Sequence, residues 1–453
     1  MYGSLKTDTQ YPLPLFGGDS DVLAPRDFLR AADQIGAEFV RDAIWSGDRC
    51  NWVGWQMKPV SGYFQTVYSA CGLSLYEGLA GIALFLAHLT RYTQDHHQKA
   101  VLDGALRQLL RDGETLDLPG MNGFYSGFAG VAWTLADIGE LLGDEQLIDT
   151  GLAWMRRACA IHSSLYDVLS GAAGLIAPAI DLAVRFDRPE FLDQAEEHAR
   201  ALVYAAQAIG AGVSWPSPGG GPNLLGYSHG AAGIACALLE MDEVRPDPQY
   251  RRTAIQALEY ERALYNAQEN NWPDLREQGT NPQATPGYPV AWCHGACGIG
   301  LSRLRMLELR DPDDKLLSEA DSALRRVSAD VATPKAPEHS DFTYCHGITG
   351  NAEFLLETAL QWDRADIRAA ATSIGQFGIE QYQSKGAAWP CGLRLGEIRG
   401  LMLGLAGIGH FFLRLYDPVQ VRGVLLLRPQ SEQRNAGMQP SDANEEGVIV
   451  YTR

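Results

Sequence analysis

Two kinds of apolar pattern alternate along the chain. Residues 140–160 and 189–208 are polar-rich, with apolar residues at the three- and four-residue spacing of helices that bury one face. Between such stretches lie short runs that are apolar almost throughout, each headed by G-x-x-G. They read GLAGIALFL from Gly78, GFAGVAWTL from Gly127, GAAGLIAPA from Gly171, GAAGIACAL from Gly230, GACGIGLSR from Gly295, GITGNAEFL from Gly347 and GLAGIGHFF from Gly404. The first glycines stand 44 to 65 residues apart, enough for two helices and their connections. A repeat of this period is the signature of stacked supersecondary units. The pattern predicts an all-α fold of repeated helix pairs closing into one large domain. No strand-rich region stands out, apart from short extended pieces such as residues 421–427.

Glycine costs about 1 kcal/mol relative to alanine inside a helix. Two glycines at one register in seven units therefore imply a steric demand, which inner helices crowding a ring centre would impose. Trp215-Pro216, Trp272-Pro273 and Trp389-Pro390 precede later copies of the motif. Proline disfavours helix at the residue before it, so these read as extended loops whose tryptophans pack.

Aligning the units on the first glycine isolates the chemistry. The two preceding residues are Tyr76-Glu77, Tyr125-Ser126, Leu169-Ser170, Ser228-His229, Cys293-His294, Cys345-His346 and Met402-Leu403. Three adjacent units place His before Gly, and two of them place Cys before that. In a closed ring this register gathers at one end of the central hole. Cys and His are preferred zinc ligands, and catalytic zinc commonly keeps three protein ligands and one open position. Cys293, Cys345 and His346 would form such a set; on spacing alone, His294 competes with His346. Helix N-termini favour anions, which helps ionise the cysteines. Cys297, one helical turn beyond Cys293, reads as a buried small residue, as do Cys50, Cys71, Cys159, Cys236 and Cys391. A Cys–His nucleophilic dyad fits less well, because two equivalent pairs in a repeat suit a metal better than one nucleophile.

Composition narrows the partners. A formal charge of −18 repels nucleic acid, and no basic run argues otherwise. No stretch reaches the ~18 apolar residues of a membrane span, and the N-terminus lacks the blocks of a signal peptide. The expectation is a cytoplasmic protein, whose eight cysteines serve as thiols or ligands rather than disulfides. Residues 1–25 read as an irregular leader, 26–428 as the repeat domain, and 429–453 as a polar tail expected to be mobile.

The motifs Trp-Cys-His-Gly at 292–295 and Tyr-Cys-His-Gly at 344–347 resemble those of lanthionine synthetase C-like cyclases. So do Ser-His-Gly at 228–230 and Tyr-Asp-Val-Leu-Ser-Gly at 166–171. The stretches AIWSGDRCNWVGW (43–55), SLYEGLAGIALFLAHL (74–89) and LGLAGIGHFFLRLYDP (403–418) are most similar to the cyclase half of the fused, class II synthetases. Too few residues precede the repeats for the dehydratase of those enzymes, so the chain reads as a free-standing relative or an isolated cyclase domain.

The resemblance implies an α/α toroid of seven inner and seven outer helices around a zinc ion. It implies zinc ligation by Cys293, Cys345 and His346, resolving the choice against His294, and an acid/base pair at His229 and Asp167. It also implies the substrate, a precursor peptide carrying cysteine and dehydroalanine or dehydrobutyrine, dehydrated by a separate domain or protein. A zinc-bound thiol would lose its proton and attack the dehydro residue. His229 would then protonate the α-carbon, with Asp167 orienting it or accepting the thiol proton. Asp167 also reads as a helix N-cap. Stand-alone members of the family carry Arg shortly before the first zinc cysteine; here residues 286–290 occupy that region, and Arg276 is the candidate substitute. A non-catalytic peptide- or glutathione-binding member is the alternative. A toroidal glycosidase would need two opposed carboxylates, which no register supplies. A toroidal prenyltransferase would need a basic diphosphate pocket, and none is evident.

Overall fold

The computed structural model of the protein describes residues 24–60, 63–114, 121–217, 220–310, 313–333, 341–393 and 396–429. The expected leader and tail therefore lie almost wholly outside the described residues. Each G-x-x-G motif opens a helix that is buried along most of its length. These inner helices are α2 (Leu79–Thr93), α4 (Phe128–Leu142), α6 (Ala172–Arg185), α8 (Ala231–Val244), α11 (Ala296–Leu309), α13 (Ile348–Trp362) and α15 (Leu405–Tyr416). Each packs against an amphipathic outer helix: α3 (His96–Glu114), α5 (Glu145–Cys159), α7 (Glu190–Ala205), α9 (Pro248–Leu264), α12 (Asp314–Ala332) and α14 (Ala365–Gly378) follow their inner partners. The seventh outer helix, α1 (Pro25–Asp42), comes from the other end of the chain and packs against α15. Every inner helix also touches the next, and α15 touches α2, so the ring is closed. A short α10 (Arg276–Thr280) and a π-helical turn (Ile379–Gln383) complete the helices of the described residues. None of these helices is long and apolar enough to cross a membrane.

Several expectations change in detail. The helical stretch 140–160 is two helices, broken where Gly143 takes φ 69° and ends α4. Strand is also present, as three antiparallel hairpins: β1 (Ile44–Ser46) with β2 (Arg49–Asn51), β3 (Val53–Val60) with β4 (Tyr63–Ala70), and β5 (Gln207–Ile209) with β6 (Gly212–Ser214). In the longest, cross-strand partners Trp55 and Tyr68 meet edge to face at 5.3 Å. Trp215, Trp272 and Trp389 are all buried, in keeping with packing.

The glycines answer to a closer neighbour than the ring centre. A Cβ on the second glycine of each motif would strike the carbonyl oxygen six residues earlier in its own unit. The separation would be 1.6 Å at Gly130 and 1.8 to 2.3 Å at Gly81, Gly174, Gly233, Gly298, Gly350 and Gly407. The loop before each inner helix thus folds back onto the helix's first turn. The residues owning those carbonyls, Leu75, Phe124, Val168, Tyr227, Trp292, Tyr344 and Leu401, are all buried. Trp292 meets Tyr125 at 4.7 Å and Tyr227 at 5.8 Å between ring centroids.

One residue further along, the loops join in a circle. The N–H of Tyr76 donates to Tyr125 O, Tyr125 to Leu169 O, Leu169 to Ser228 O, Cys293 to Cys345 O, Cys345 to Met402 O, and Met402 to Tyr76 O, at 2.8 to 3.3 Å. The remaining link is made by the Ser228 hydroxyl, which donates to Cys293 O at 3.0 Å. The register carrying both cysteines is therefore a seven-membered belt, closed from the first unit to the last.

The far end of the inner helices holds charge instead. Ten residues after each first glycine stand His88, Asp137, Asp181, Glu240, Arg305, Glu357 and Arg414, all buried. Residues 421–427, read from sequence as an extended piece, pair with no strand of the described residues; with Arg428 they form a strap threaded across this end of the ring. Arg422 contacts Asp137 and Asp181, and Arg428 contacts Glu308 and Glu357. Tyr125 Oη donates to Val424 O at 2.8 Å, and Trp292 Nε1 to Leu425 O at 2.8 Å. Burial alone would raise the Asp181 carboxyl, but Arg422 and Arg185 outweigh it and hold it at about 2.

Three histidines remote from the belt's open side tie stability to pH. Burial lowers His88 to about 4 and depresses His198 and His410 as well. Between pH 6.5 and 4 the unfolded chain binds protons that these folded groups refuse, so stability falls as pH drops through that window. His88 alone should account for a loss on the order of 2 kcal/mol. Urea unfolding at pH 7 and pH 5 should show the loss, and His88→Gln should shrink it; an equal loss in the variant would assign it elsewhere.

Candidate metal centre and the adjoining acid/base pair

Cys293 and Cys345 come together because they occupy neighbouring positions of the belt, and His346 follows Cys345 at the mouth. One donor atom from each of Cys293, Cys345 and His346 lies within 4.8 Å of the others. Among the described residues no other group of three or more Cys, His, Asp or Glu has this proximity. His346 Nε2 is taken up by Gly392 O at 3.0 Å and Asp341 Oδ2 at 3.3 Å. Nδ1 is the nitrogen left for an ion, the arrangement by which an outer carboxylate or carbonyl fixes a ligand's tautomer. Asp341 is itself anchored, its Oδ1 accepting from Thr343 N at 2.9 Å and Thr343 Oγ1 at 2.6 Å.

The three side chains share charge as a metal site does. Hydrogen bonds from Cys345 and His346 hold Cys293 well below the ordinary thiol range, against burial. Cys345, donating to Cys293 and buried, is held well above it. Burial opposes the imidazolium of His346, but Cys293 and Asp341 carry it up to about 9. A thiolate, a thiol and an imidazolium so placed are what Zn²⁺ replaces when it displaces protons from two thiols and an imidazole. Two sulfurs and one imidazole nitrogen also match a zinc donor set with one position open.

The second group stands beside it. His229 Nδ1 donates to Asp167 Oδ2 at 2.7 Å. The other Asp167 oxygen accepts from Ser170 N at 2.7 Å and Gly171 N at 3.0 Å, ahead of α6. Asp167 is thus not the helix N-cap, which is Gly171; one carboxylate oxygen holds the turn before α6 and the other holds His229. The loop carrying His229 is clamped from outside the ring by Glu261 of α9, which is fully buried. Its Oε1 accepts from Gly226 N at 3.0 Å and Ala232 N at 3.1 Å, and its Oε2 accepts from Arg303 at 2.7 Å.

His294 stays out of the donor cluster. It is buried, its ring lies 5.8 Å from that of His229 in a stacked arrangement, and burial lowers it to about 4. Arg276 opens α10 and is gripped by Asp274, with Nη2 to Oδ2 at 2.6 Å. Burial works against its charge, while Asp274, and then Cys293 and Cys345, favour it, which places its guanidinium within electrostatic reach of the thiols. Cys297 and the five other cysteines away from the centre are buried, and none of them is in a disulfide. Sequence reasoning missed Glu261, Asp341 and Tyr76, whose hydroxyl lies 2.9 Å from Cys345 Sγ. Tyr76 alone had a signal, since it shares the register of the two cysteines.

A family model described as lanthionine synthetase C-like protein matches residues 69–426. The chain belongs to the lanthionine synthetase C-like family. The resemblance carried by the Cys-His-Gly motifs is borne out at the scale of most of the chain. Among curated relatives, this lanthionine synthetase C-like chain is 22% identical over 412 residues to the lacticin 481/lactococcin biosynthesis protein of Lactococcus lactis subsp. lactis. The match covers 88% of this chain and 42% of that protein, so the chain spans less than half of that relative's length. Nisin cyclase shares the fold, with a TM-score of 0.62 at 18% identity over 87% of this chain and 96% of that one. An alpha-mannanase of Bacteroides thetaiotaomicron aligns at a TM-score of 0.47 and 11% identity, over 88% of this chain and 96% of that one.

The Glu261 clamp makes a prediction. Glu261→Ala removes an acceptor from two buried amides and a partner from buried Arg303, and should cost about 3–5 kcal/mol in urea unfolding. Hydrogen exchange at Gly226 and Ala232 should quicken more than in the rest of α8. A variant within ~0.5 kcal/mol of wild type, the range of featureless surface sites, would remove Glu261 from this role.

Proposed function

We propose that the protein is a zinc-dependent cyclase that closes thioether rings in a dehydrated precursor peptide. Cysteine thiols of the peptide add across the double bond of dehydroalanine or dehydrobutyrine, giving lanthionine or methyllanthionine. The observation that carries this reading is the Cys293–Cys345–His346 donor set with the Asp167–His229 pair beside it on one face of the ring.

Zinc in that donor set would supply a Lewis acid that deprotonates a peptide thiol, whose ordinary pKa near 8.5 leaves it mostly protonated at neutral pH. The protein's own residues do the rest. His346 would present Nδ1 to such an ion, because Asp341 and Gly392 hold its other nitrogen. His229 offers Nε2 to the substrate because Asp167 holds Nδ1–H. Carbon–sulfur bond formation leaves negative charge on the α-carbon side of the former double bond, and a proton from His229 Nε2 completes the addition. Asp167 stabilises the imidazolium before that transfer. A domain or separate protein of dehydratase activity supplies the peptide, and the site works in the cytoplasm. The relative named for lacticin 481/lactococcin biosynthesis supports a peptide product of this kind.

Zinc analysis and a ring-closure assay test the reading together. Native protein should hold about one zinc per chain, lost in Cys345→Ala. With a dehydrated cysteine-containing peptide, native protein should consume thiol and dehydro residue in equal amounts without change of mass. Asp167→Asn keeps an oxygen for the amides of Ser170 and Gly171, so stability should change by about 1 kcal/mol or less, while ring closure should slow by about 10²–10⁴-fold. Zinc-loaded protein that binds such peptides and closes no ring would replace this reading with a non-catalytic peptide- or glutathione-binding protein.

A further inference from the structure

Cys345 meets a third group besides its two fellow donors. Tyr76 Oη lies 2.9 Å from its Sγ, reaching across from a unit 269 positions away in the chain. The tyrosine is fastened at its backbone, since its N–H donates to Tyr125 O at 2.9 Å and its carbonyl accepts from Met402 N at 2.8 Å. Both are links of the belt, so the backbone that carries this hydroxyl is held at the ring's centre. The repeat also supplies a comparison. Tyr125 occupies the same register in the next unit, but its hydroxyl turns the other way and donates to the strap at Val424 O, 2.8 Å away. One residue type at one register thus serves the strap in one unit and a sulfur in the next.

We propose that Tyr76 is a positioning residue of the metal centre, its hydroxyl donating a hydrogen bond to the Cys345 thiolate. This rests on the zinc reading above. A phenol carries one donor hydrogen and keeps it at neutral pH. Hydrogen bonds to ionised acceptors are about twice as strong as neutral ones. Two cysteine thiolates already cancel the charge of a divalent ion, so a substrate thiolate arriving beside them adds negative charge in a buried place, where unpaired charge is costly. A donor on Cys345 Sγ withdraws part of that charge and fixes the direction from which the sulfur's lone pairs approach the ion.

Cobalt(II) substitution reads the sulfur directly through its thiolate-to-metal charge-transfer band. Tyr76→Phe removes one oxygen and should move that band to longer wavelength, because an unbonded thiolate gives up its electron more readily. Chelator competition should show zinc affinity weakened by about 10–100-fold, the usual effect of losing an outer partner of a ligand. Tyr125→Phe, which removes the same atom from the same register, should change neither. An unshifted band in Tyr76→Phe, or an equal shift in Tyr125→Phe, overturns the proposal.

Should Tyr76→Phe fail to fold by circular dichroism, the ultraviolet difference spectrum on adding zinc to metal-free Tyr125→Phe decides. A perturbed but protonated tyrosine supports the donor role, while no tyrosine signal, or a phenolate band, overturns it. Wild-type protein that binds neither zinc nor cobalt fails the proposed function and this inference with it. Metal uptake with no effect of Tyr76 fails this inference alone.

Discussion

Each of the seven loops brings a carbonyl to the middle of the ring, and six bring a backbone amide to meet one, the Ser228 hydroxyl taking the place of the seventh. Unpaired buried backbone groups cost free energy comparable to a lost hydrogen bond, so the loops are bound to meet in a closed circle. The belt formed by Tyr76, Tyr125, Leu169, Ser228, Cys293, Cys345 and Met402 satisfies that demand. It also fixes which side chains are neighbours. Cys293 and Cys345 stand side by side because their backbones are adjacent links, and Tyr76 reaches Cys345 because the last link returns to the first unit. The second glycine of each motif belongs to the same constraint, since a methyl group there would drive the loop off its own helix.

Below the belt the ring is built in layers. An apolar layer with Trp292 and Tyr344 separates the sulfur donors from a buried charged layer. That layer is balanced across units by Arg305 with Glu240 and by Arg414 with Glu353 and Glu357, and from the strap by Arg422 and Arg428. Buried ion pairs are weak evidence for stability, because desolvation can exceed the attraction. Their value here is one of place: the strap's arginines find carboxylates only where the inner helices end, and its carbonyls find Tyr125 and Trp292 on the way.

Much of this was legible in the sequence because it repeats. Seven glycine motifs predict the helix pairs, and their alignment places Cys293, Cys345, His346 and the competing His294 at one end of the ring; only the family resemblance separates the two histidines. The charged layer is equally periodic, ten residues beyond each first glycine, but its residues mix both signs and a histidine, so no single residue type marks the register. The hairpin of β3 and β4 lies between two helices in a helical repeat, and its pairing depends on cross-strand partners such as Trp55 and Tyr68. The strap looked like a strand since its residues are branched and apolar; what it pairs with is side chains and arginine-bound carboxylates. Asp167 caps no helix: Gly171 is the N-cap of α6, and the carboxylate divides its oxygens between the preceding turn and His229. Glu261 and Asp341 left no local signal, because what they hold is known only once the ring is closed.

Packing of α1 against α15 has a consequence for how the protein comes to exist. An open row of repeats is stabilised by nearest neighbours and folds from any starting unit. A ring whose first outer helix belongs to its last inner one cannot finish that way. Tyr76 has no Met402 to accept from, and α1 lacks its main partner α15, until the final unit has formed. Contacts between distant parts of a chain are slow to form because loop closure precedes their reward. The sulfur donors, contributed by the fifth and sixth units, therefore acquire their full setting as the last event of folding rather than as the product of any one segment.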